Sequence, residues 1–321
     1  MSTASDAIVR LQELAELRTA TAVPLAPYTR FGIGGQARLF CETAGIETFH
    51  AALGCVQESG MRHVVIGGGS NLIVADEGFD GAVLRFTGEH LAGTRNRLRI
   101  QAGLPLQTLV DQSIALGFSG IETMTGIPGT VGGAIYGNAG AYGRSVNECV
   151  ESVTYTDGEH VCMLSNEKCE FNYRESIFKR RKDWVILYAM LSFGEGDPVL
   201  MKRKADEIRA IRDEKYPPSM KCAGSIFKNC FFAKLPPHVQ SLIPDKVVRE
   251  GKVPSAWFLE QVGAKGLRVG DIQVASYHAN LIYNDGEGKS ADVVRIITDL
   301  KQRVRDTFGF NIEEEVQYIG F

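Results

Sequence analysis

The sequence has little that would suit a membrane, a metal or a nucleic acid. None of its 321 residues belongs to the long uninterrupted apolar run of a membrane span. The first stretch lacks the basic leader and apolar block of an export signal and carries Asp6, Glu13 and Glu16 instead, so the expected location is the cytoplasm. The seven cysteines are odd in number and form no C-x-x-C pair, which speaks against a disulfide framework and against a zinc cluster. No metal ligands are expected, and the thiols read as reduced and mostly buried. A net charge of -3 gives no basic field for nucleic acid. No G-x-x-x-x-G-K-[ST] loop occurs, which argues against an ATPase. A local anion site stays open, because backbone N–H groups can build one without net charge.

What is present is ordinary globular material, 44% hydrophobic and 23% charged. At this length two or three domains are expected. Ile8, Leu11, Leu14 and Leu17 recur at helical spacing and predict an amphipathic helix within 1–18. Helices are expected over 46–59, ending before Gly60, and over 106–116, between Pro105 and Gly117. Strands are expected over 64–66, 82–86, 98–102 and 185–193. Asp157-Gly158 reads as the turn of a hairpin joining 153–156 to 160–164. A charged helix over 201–212 leads into Lys215-Tyr216-Pro217-Pro218, where the main boundary falls. Beyond it come a helix over 255–262, a strand over 280–283 and a helix over 291–308, with Ser290 as its cap and Gly309 as its end. Residues 315–319 alternate like a last strand.

Two glycine-rich stretches stand out. Gly67-Gly68-Gly69-Ser70-Asn71 follows the 64–66 strand directly and precedes the extended Leu72-Ile73-Val74. Three glycines let the backbone approach a ligand with no Cβ in the way, and successive N–H groups can form an anion nest. A diphosphate cradle and a flexible turn are equally good readings of that stretch alone. It is not the strand, G-x-G-x-x-G, helix pattern of a Rossmann fold. Gly32-Ile33-Gly34-Gly35-Gln36-Ala37 fits that pattern only by letter and reads as a strand-entry turn. The second stretch runs from Gly126-Ile127-Pro128-Gly129-Thr130-Val131-Gly132-Gly133-Ala134 to Asn138-Ala139-Gly140-Ala141-Tyr142-Gly143. Pro128 suits a first helical turn, and a helix of small residues beginning there can take a phosphate on its N-terminal amides. Two such charge-poor cradles favour a dinucleotide over tight packing alone. Tyr173-Arg174-x-Ser176, Gly224-Ser225-Ile226-Phe227-Lys228-Asn229 and Glu313-Glu314-Glu315-Val316 add an arginine fork, a hydroxyl and a carboxylate. Taken alone, they more often mark a solvated surface arginine, a turn and a solvated acidic run.

In this order, the motifs closely resemble the UDP-N-acetylenolpyruvoylglucosamine reductase family of peptidoglycan precursor synthesis, from about Tyr28 to Gly320. The resemblance implies an α+β fold: an FAD-binding module of the vanillyl-alcohol oxidase type, made of two α+β subdomains, plus a smaller α+β substrate-binding domain. On that basis 1–26 is an N-terminal helix, 27–200 the FAD-binding domain, 201–218 a linking helix and 219–321 the substrate domain. It implies catalytic roles for Arg174, Ser225 and Glu315. It assigns non-covalent FAD to Tyr28, to Gly67, Gly68, Gly69, Ser70, Asn71 and Leu72, and to Gly126, Ile127, Pro128, Thr130 and Gly133. Asn229 matches a substrate-binding asparagine, and Tyr173, Lys228, His278 and Asn280 are further expected substrate contacts. Only four residues separate Pro218 from Ala223, which leaves no room for the tyrosine-bearing segment of the family's longer form, so the chain looks like the shorter, type II form. Cys230 stands where the family usually has proline.

The resemblance also implies the reaction. Hydride passes from NADPH to FAD, then to the β carbon of UDP-N-acetylglucosamine enolpyruvate, and Ser225 protonates the α carbon. A monomer or weak oligomer is expected, with neither membrane nor nucleic acid as partner. Two alternatives remain open: an FAD oxidase on the same module, or a non-catalytic flavin-binding module. Such oxidases often tether flavin through His or Cys; the glycine stretches contain neither, although His63 lies just before the first.

Overall fold

A computed structural model describes residues 4–321. By contacts the chain forms two compact units, and neither is a single stretch, unlike the contiguous segments drawn from the sequence. The first takes the chain up to Val23, then Ala37–Gly69 and Phe79–Glu214. The second takes Pro24–Gln36, Ser70–Gly78 and Lys215–Phe321.

The first unit holds two sheets. In one, the strands run in the order Arg18–Pro24, Gln36–Thr43, Phe79–Phe86 and His63–Ile66, and the last two pairings are parallel. The helix Ile46–Glu58 connects Gln36–Thr43 to His63–Ile66 and buries Phe49, Leu53 and Val56. The second sheet has the order Val161–Ser165, Val150–Thr156, Val185–Ser192, Arg97–Gln101 and Leu91–Thr94, antiparallel throughout. The Asp157-Gly158 hairpin forms as expected: the Asp157 carboxylate accepts the amides of Glu159 and His160 at 3.0 and 2.7 Å, and Gly158 takes a φ of 93°. Leu39, Leu53, Leu84, Ile100, Leu109 and Leu187 belong to one continuous core.

Two helix expectations in this unit need correction. The first helix is Ala4–Gln12, and residues 1–3 of the expected range lie outside the described ones; Leu14 and Leu17 lie beyond the helix but still pack on the core. With Glu16 at a φ of 64°, the chain has turned by then toward the strand at Arg18. Pro128 is not in a first helical turn. The helix is Val131–Tyr136, and Thr130 is its cap, its side-chain oxygen accepting from Gly133. Pro128 instead sits in the approach to that cap.

The second unit is built on a four-stranded antiparallel sheet, Lys221–Ser225, Leu281–Asn284, Ile272–Val274 and Arg268–Val269. The long helix Ser290–Phe308 buries Val293, Ile296, Ile297, Leu300 and Val304 at helical spacing and ends at Gly309, whose φ of 74° suits a residue without a Cβ. Phe258, Phe308 and Phe310 meet edge to face or tilted in the same core.

Three segments far apart in sequence are laced together here. Leu25 donates to Gly35, Gly35 to Ala75, and Ala75 to Ile319, at 2.8 to 2.9 Å. The terminal strand is Gln317–Ile319, shorter than the expected 315–319, and it pairs in parallel with Leu72–Val74.

The expected cap of the long helix also differs. Ser290 is already helical. The cap is the Asp76 carboxylate, which accepts the amides of Ser290 at 3.0 Å and Ala291 at 3.3 Å, while the Ser290 hydroxyl accepts the Asp76 amide at 3.0 Å. The carboxylate also faces the positive end of the helix dipole. Replacing Asp76 with Ala should lower the stability of this unit by about 0.5–2 kcal/mol. Urea unfolding followed by near-ultraviolet circular dichroism checks this; an unchanged midpoint would show that the cap contributes nothing.

Candidate active site

In the first unit the two glycine stretches lie against each other. A Cβ on Gly67 would come within 2.9 Å of the Thr130 hydroxyl, and one on Gly68 within 2.9 Å of Gly129 Cα. Any side chain at Gly68 would push the two backbones apart. The helix beside them is not the anion site expected from the sequence. Its first amides are occupied within the protein: Val131 donates to Leu104, Gly132 to Ala102 and Gly133 to the Thr130 hydroxyl. The amides of Gly68, Gly69, Gly129 and Thr130, by contrast, find no acceptor among the described residues. Bare backbone with unused donors fits a diphosphate. Gly126 is fixed from behind, its amide donating to the Gln107 side chain at 2.7 Å. Ile127 packs on the core.

The first of the candidate catalytic groups, Arg174, is held by the remainder of the second glycine stretch. Asn172 and Glu175 exchange backbone hydrogen bonds at 3.0 and 3.1 Å, so Tyr173 and Arg174 form the tip of a tight turn. Arg174 has a φ of 57°, an uncommon conformation for a residue with a side chain. Its guanidinium donates to the Gly140 carbonyl at 2.9 Å and lies 5.3 Å from the Tyr173 ring centre. Its own carbonyl accepts from the Lys179 ammonium at 2.9 Å. Asn138 donates to the Asn172 carbonyl at 2.8 Å, and buried Ser176 donates to Tyr136 at 2.7 Å. The Asn-Ala-Gly-Ala-Tyr-Gly motif is thus the platform for the Tyr-Arg turn.

In the second unit, the segments that carry Ser225 and Glu315 pair through their backbones. Residues 225–228 run antiparallel to 313–315: Glu315 donates to the Ile226 carbonyl at 2.7 Å, and Lys228 donates to the Glu313 carbonyl at 2.9 Å. The carbonyl of Glu315 accepts the Asn71 carboxamide at 2.9 Å, and Gln317 donates to the Asn71 carbonyl at 2.9 Å. The Asn71 carboxamide nitrogen and backbone carbonyl are therefore both engaged within the protein. Ser70 and Leu72 are half-buried beside it, and Tyr28 is half-buried in a short helical turn, Ala26–Tyr28. Of the three consecutive glutamates, Glu313 pairs with Lys228 at 3.3 Å and Glu314 with Lys301 at 2.6 Å, while Tyr318 also donates to Glu314. Glu315 is the one with its backbone held on both edges.

The expected substrate contacts fare unevenly. Asn280 is buried and donates to and accepts from the Phe227 backbone at 2.8 and 2.9 Å, so it braces the Ser225 segment. Asn229 accepts the Ser255 amide at 3.4 Å, and Ser255 also donates to the Lys228 carbonyl. Cys230 forms a short antiparallel ladder with Val253, and burial pushes its thiol up to about 11, so it stays protonated. Sequence reasoning missed the partner of Ser225: the Tyr216 hydroxyl lies 3.1 Å from the Ser225 hydroxyl. The only sequence signal was its place before the two prolines.

Comparison with known proteins shows the family. Residues 37–161 match the FAD binding domain family, and residues 216–319 match the C-terminal domain of UDP-N-acetylenolpyruvoylglucosamine reductase. The UDP-N-acetylenolpyruvoylglucosamine reductase of Solibacter usitatus is 53% identical over 97% of this chain and 100% of its own. The chain belongs to the UDP-N-acetylenolpyruvoylglucosamine reductase family. The enzyme of that name from Bacillus subtilis is 30% identical over 97% of this chain and 98% of its own. The crystal structure of the reductase from Thermus caldophilus matches 94% of this chain and 98% of its own, with a TM-score of 0.72 at 27% identity. The fold is that of the family: a two-subdomain FAD-binding module with a smaller C-terminal domain.

Two expected outcomes follow from this geometry. Gly68→Ala should purify with less flavin and bind added FAD more weakly, whereas Gly137→Ala, whose new Cβ meets nothing closer than 3.6 Å, should bind normally. Fluorescence titration with FAD checks both; equal affinities would remove Gly68 from the cradle. His278 is held near a pKa of about 4, against 6.5, first by burial and then by Lys215. The folded state favours its neutral form, so its contribution to stability is present above 6.5 and falls as pH drops toward 4. Between those limits wild type should lose more stability than His278→Gln, and a histidine NMR titration with an ordinary midpoint would contradict this.

Proposed function

We propose that this chain reduces UDP-N-acetylglucosamine enolpyruvate to UDP-N-acetylmuramate in peptidoglycan precursor synthesis, with FAD held non-covalently and NADPH as reductant. The observation that supports the residue assignment is the backbone pairing of 225–228 with 313–315, which brings the segments carrying Ser225 and Glu315 side by side. Bound FAD, once reduced by NADPH, supplies the hydride for the β carbon. Negative charge then develops at the α carbon and spreads into the substrate carboxylate as an enolate. Arg174 meets that charge with a planar guanidinium whose backbone is already fixed, so little reorganisation is needed. Glu315 would stabilise the enolate through a hydrogen bond if it carries a proton. Ser225 gives its proton to the α carbon, which completes the lactyl ether. Tyr173, Lys228, Asn229 and His278 are the proposed substrate contacts. Gly67 to Leu72, together with Tyr28, Gly126, Ile127, Pro128, Thr130 and Gly133, are the proposed flavin contacts. We place the enzyme in the cytoplasm with its nucleotide-linked substrate, as a monomer or weak oligomer.

Ser225→Ala tests the assignment. Flavin bleaching by NADPH without oxygen should proceed at the wild-type rate. Return of colour on adding the enolpyruvyl sugar nucleotide should slow by roughly a hundred- to ten-thousandfold, the usual share of a general acid. Equal slowing of both halves would remove Ser225 from the role. Colour returning with oxygen but not with the sugar nucleotide would mark an oxidase.

A further inference from the structure

A serine hydroxyl is a weak acid, and giving its proton to carbon leaves an alkoxide unless a neighbour supplies another. The structure places such a neighbour. Tyr216 precedes Pro217 and Pro218, and the Pro217 carbonyl accepts the Met220 amide at 2.9 Å, closing a turn that folds back into the strand Lys221–Ser225. The Tyr216 ring packs with Met220 and Tyr283 on a small cluster of Cys222, Ala275 and Leu281. With the ring so anchored, its hydroxyl lies 3.1 Å from the Ser225 hydroxyl, and either oxygen can donate.

We propose that Tyr216 is a positioning residue for Ser225, orienting its hydroxyl and passing it a replacement proton as Ser225 gives its own to the α carbon. The inference rests on the reading of Ser225 as proton donor. The proton count balances. The Ser225 O–H bond breaks as the new C–H bond forms, the Tyr216 O–H bond breaks as the Ser225 O–H bond re-forms, and the phenolate takes a proton from water. A phenol loses its proton far more readily than an aliphatic alcohol, so the transient anion rests on the better group. The surroundings suit it. The Lys215 ammonium lies 5.1 Å from the centre of the Tyr216 ring. His278, with its ring 6.3 Å from that of Tyr216, is neutral at pH 7 because burial and Lys215 hold it down, so Lys215 supplies the positive charge. Lys215 is itself fixed, its carbonyl accepting the Tyr277 hydroxyl at 3.0 Å.

Tyr216→Phe keeps the packed ring and removes the hydroxyl. The expected result is unchanged reduction of the flavin by NADPH and an unchanged Kd for the substrate on the oxidised holoenzyme. The substrate half-reaction should slow by about ten- to a hundredfold, within the span of general acid–base effects. The double variant with Ser225→Ala should be no slower than Ser225→Ala alone, since both act through one hydroxyl. In mixtures of light and heavy water, the wild-type substrate half-reaction should give a curved rate plot, two protons moving together. If Ser225→Ala is slow and Tyr216→Phe matches wild type, the inference falls and the Ser225 role stands. Multiplying effects in the double variant, a straight plot, or a weakened Kd alone would each overturn it. A fully active Ser225→Ala removes the underlying reading and the inference with it.

Discussion

Much of the second unit's candidate chemistry depends on one side-chain contact, the carboxamide of Asn71 on the backbone of Glu315. A strand that slips by one residue presents its other face, and a three-residue pairing such as Leu72–Val74 with Gln317–Ile319 has few ladder bonds to prevent it. Asn71 removes that freedom, because its side chain and its carbonyl bind positions 315 and 317 at once. Ile226 then takes the Glu315 amide on the other edge. The backbone of Glu315 is thus held on both edges before any ligand arrives. The same short segment carries Asp76 to the start of the long helix, so Ser70–Gly78 aligns the last strand and also caps Ser290–Phe308.

Arg174 is held by a comparable arrangement in the first unit. A side-chain-bearing residue at a φ of 57° carries strain, on the order of 1–3 kcal/mol for such outliers. The surrounding bonds offset it: the paired amides of Asn172 and Glu175, the Lys179 ammonium, and the guanidinium on Gly140. Strain kept in place this way suits the proposed role of meeting developing charge, because the rearrangement is complete before the charge appears. The glycine and alanine stretch 138–143 reads in sequence as part of a cradle. In the fold it lies beneath the arginine, and the small residue at Gly140 leaves a carbonyl within reach of the guanidinium.

Local features were legible. The helices beginning at Ile46 and Leu106, the Asp157-Gly158 hairpin and the end at Gly309 follow from spacing and turn chemistry, which act over a few residues. The misread features depend on distant partners. Ser290 has the right residue type for a cap, but the helix already begins at Ser290, and Asp76, far back in the chain, takes the first amides, those of Ser290 and Ala291, with its two carboxylate oxygens. Leu14 and Leu17 continue a helical spacing that packing satisfies without a helix. Asn280 looked like a ligand contact because nothing in the sequence shows that Phe227 needs its amide and carbonyl met in a buried strand. The neighbourhood of Ser225 and Glu315 was invisible for the same reason: antiparallel pairing across most of the C-terminal half leaves no periodic trace.

The misplaced anion site carries a more general point. A helix N-terminus attracts phosphate only while its first amides are unoccupied. In Val131–Tyr136 those amides are taken by Leu104, Ala102 and the cap itself, so the dipole is present but the donors are not. The unused donors lie just ahead of the helix, on Gly129 and Thr130, and across from them on Gly68 and Gly69. Both pairs come from irregular backbone that no ladder completes, which is what a nest requires. The glycines then act by permitting approach: a Cβ at Gly68 would lie 2.9 Å from Gly129 Cα, and the two backbones would have to shift apart. The proposed diphosphate site is thus a property of two loops brought together, and neither loop read alone could reveal it.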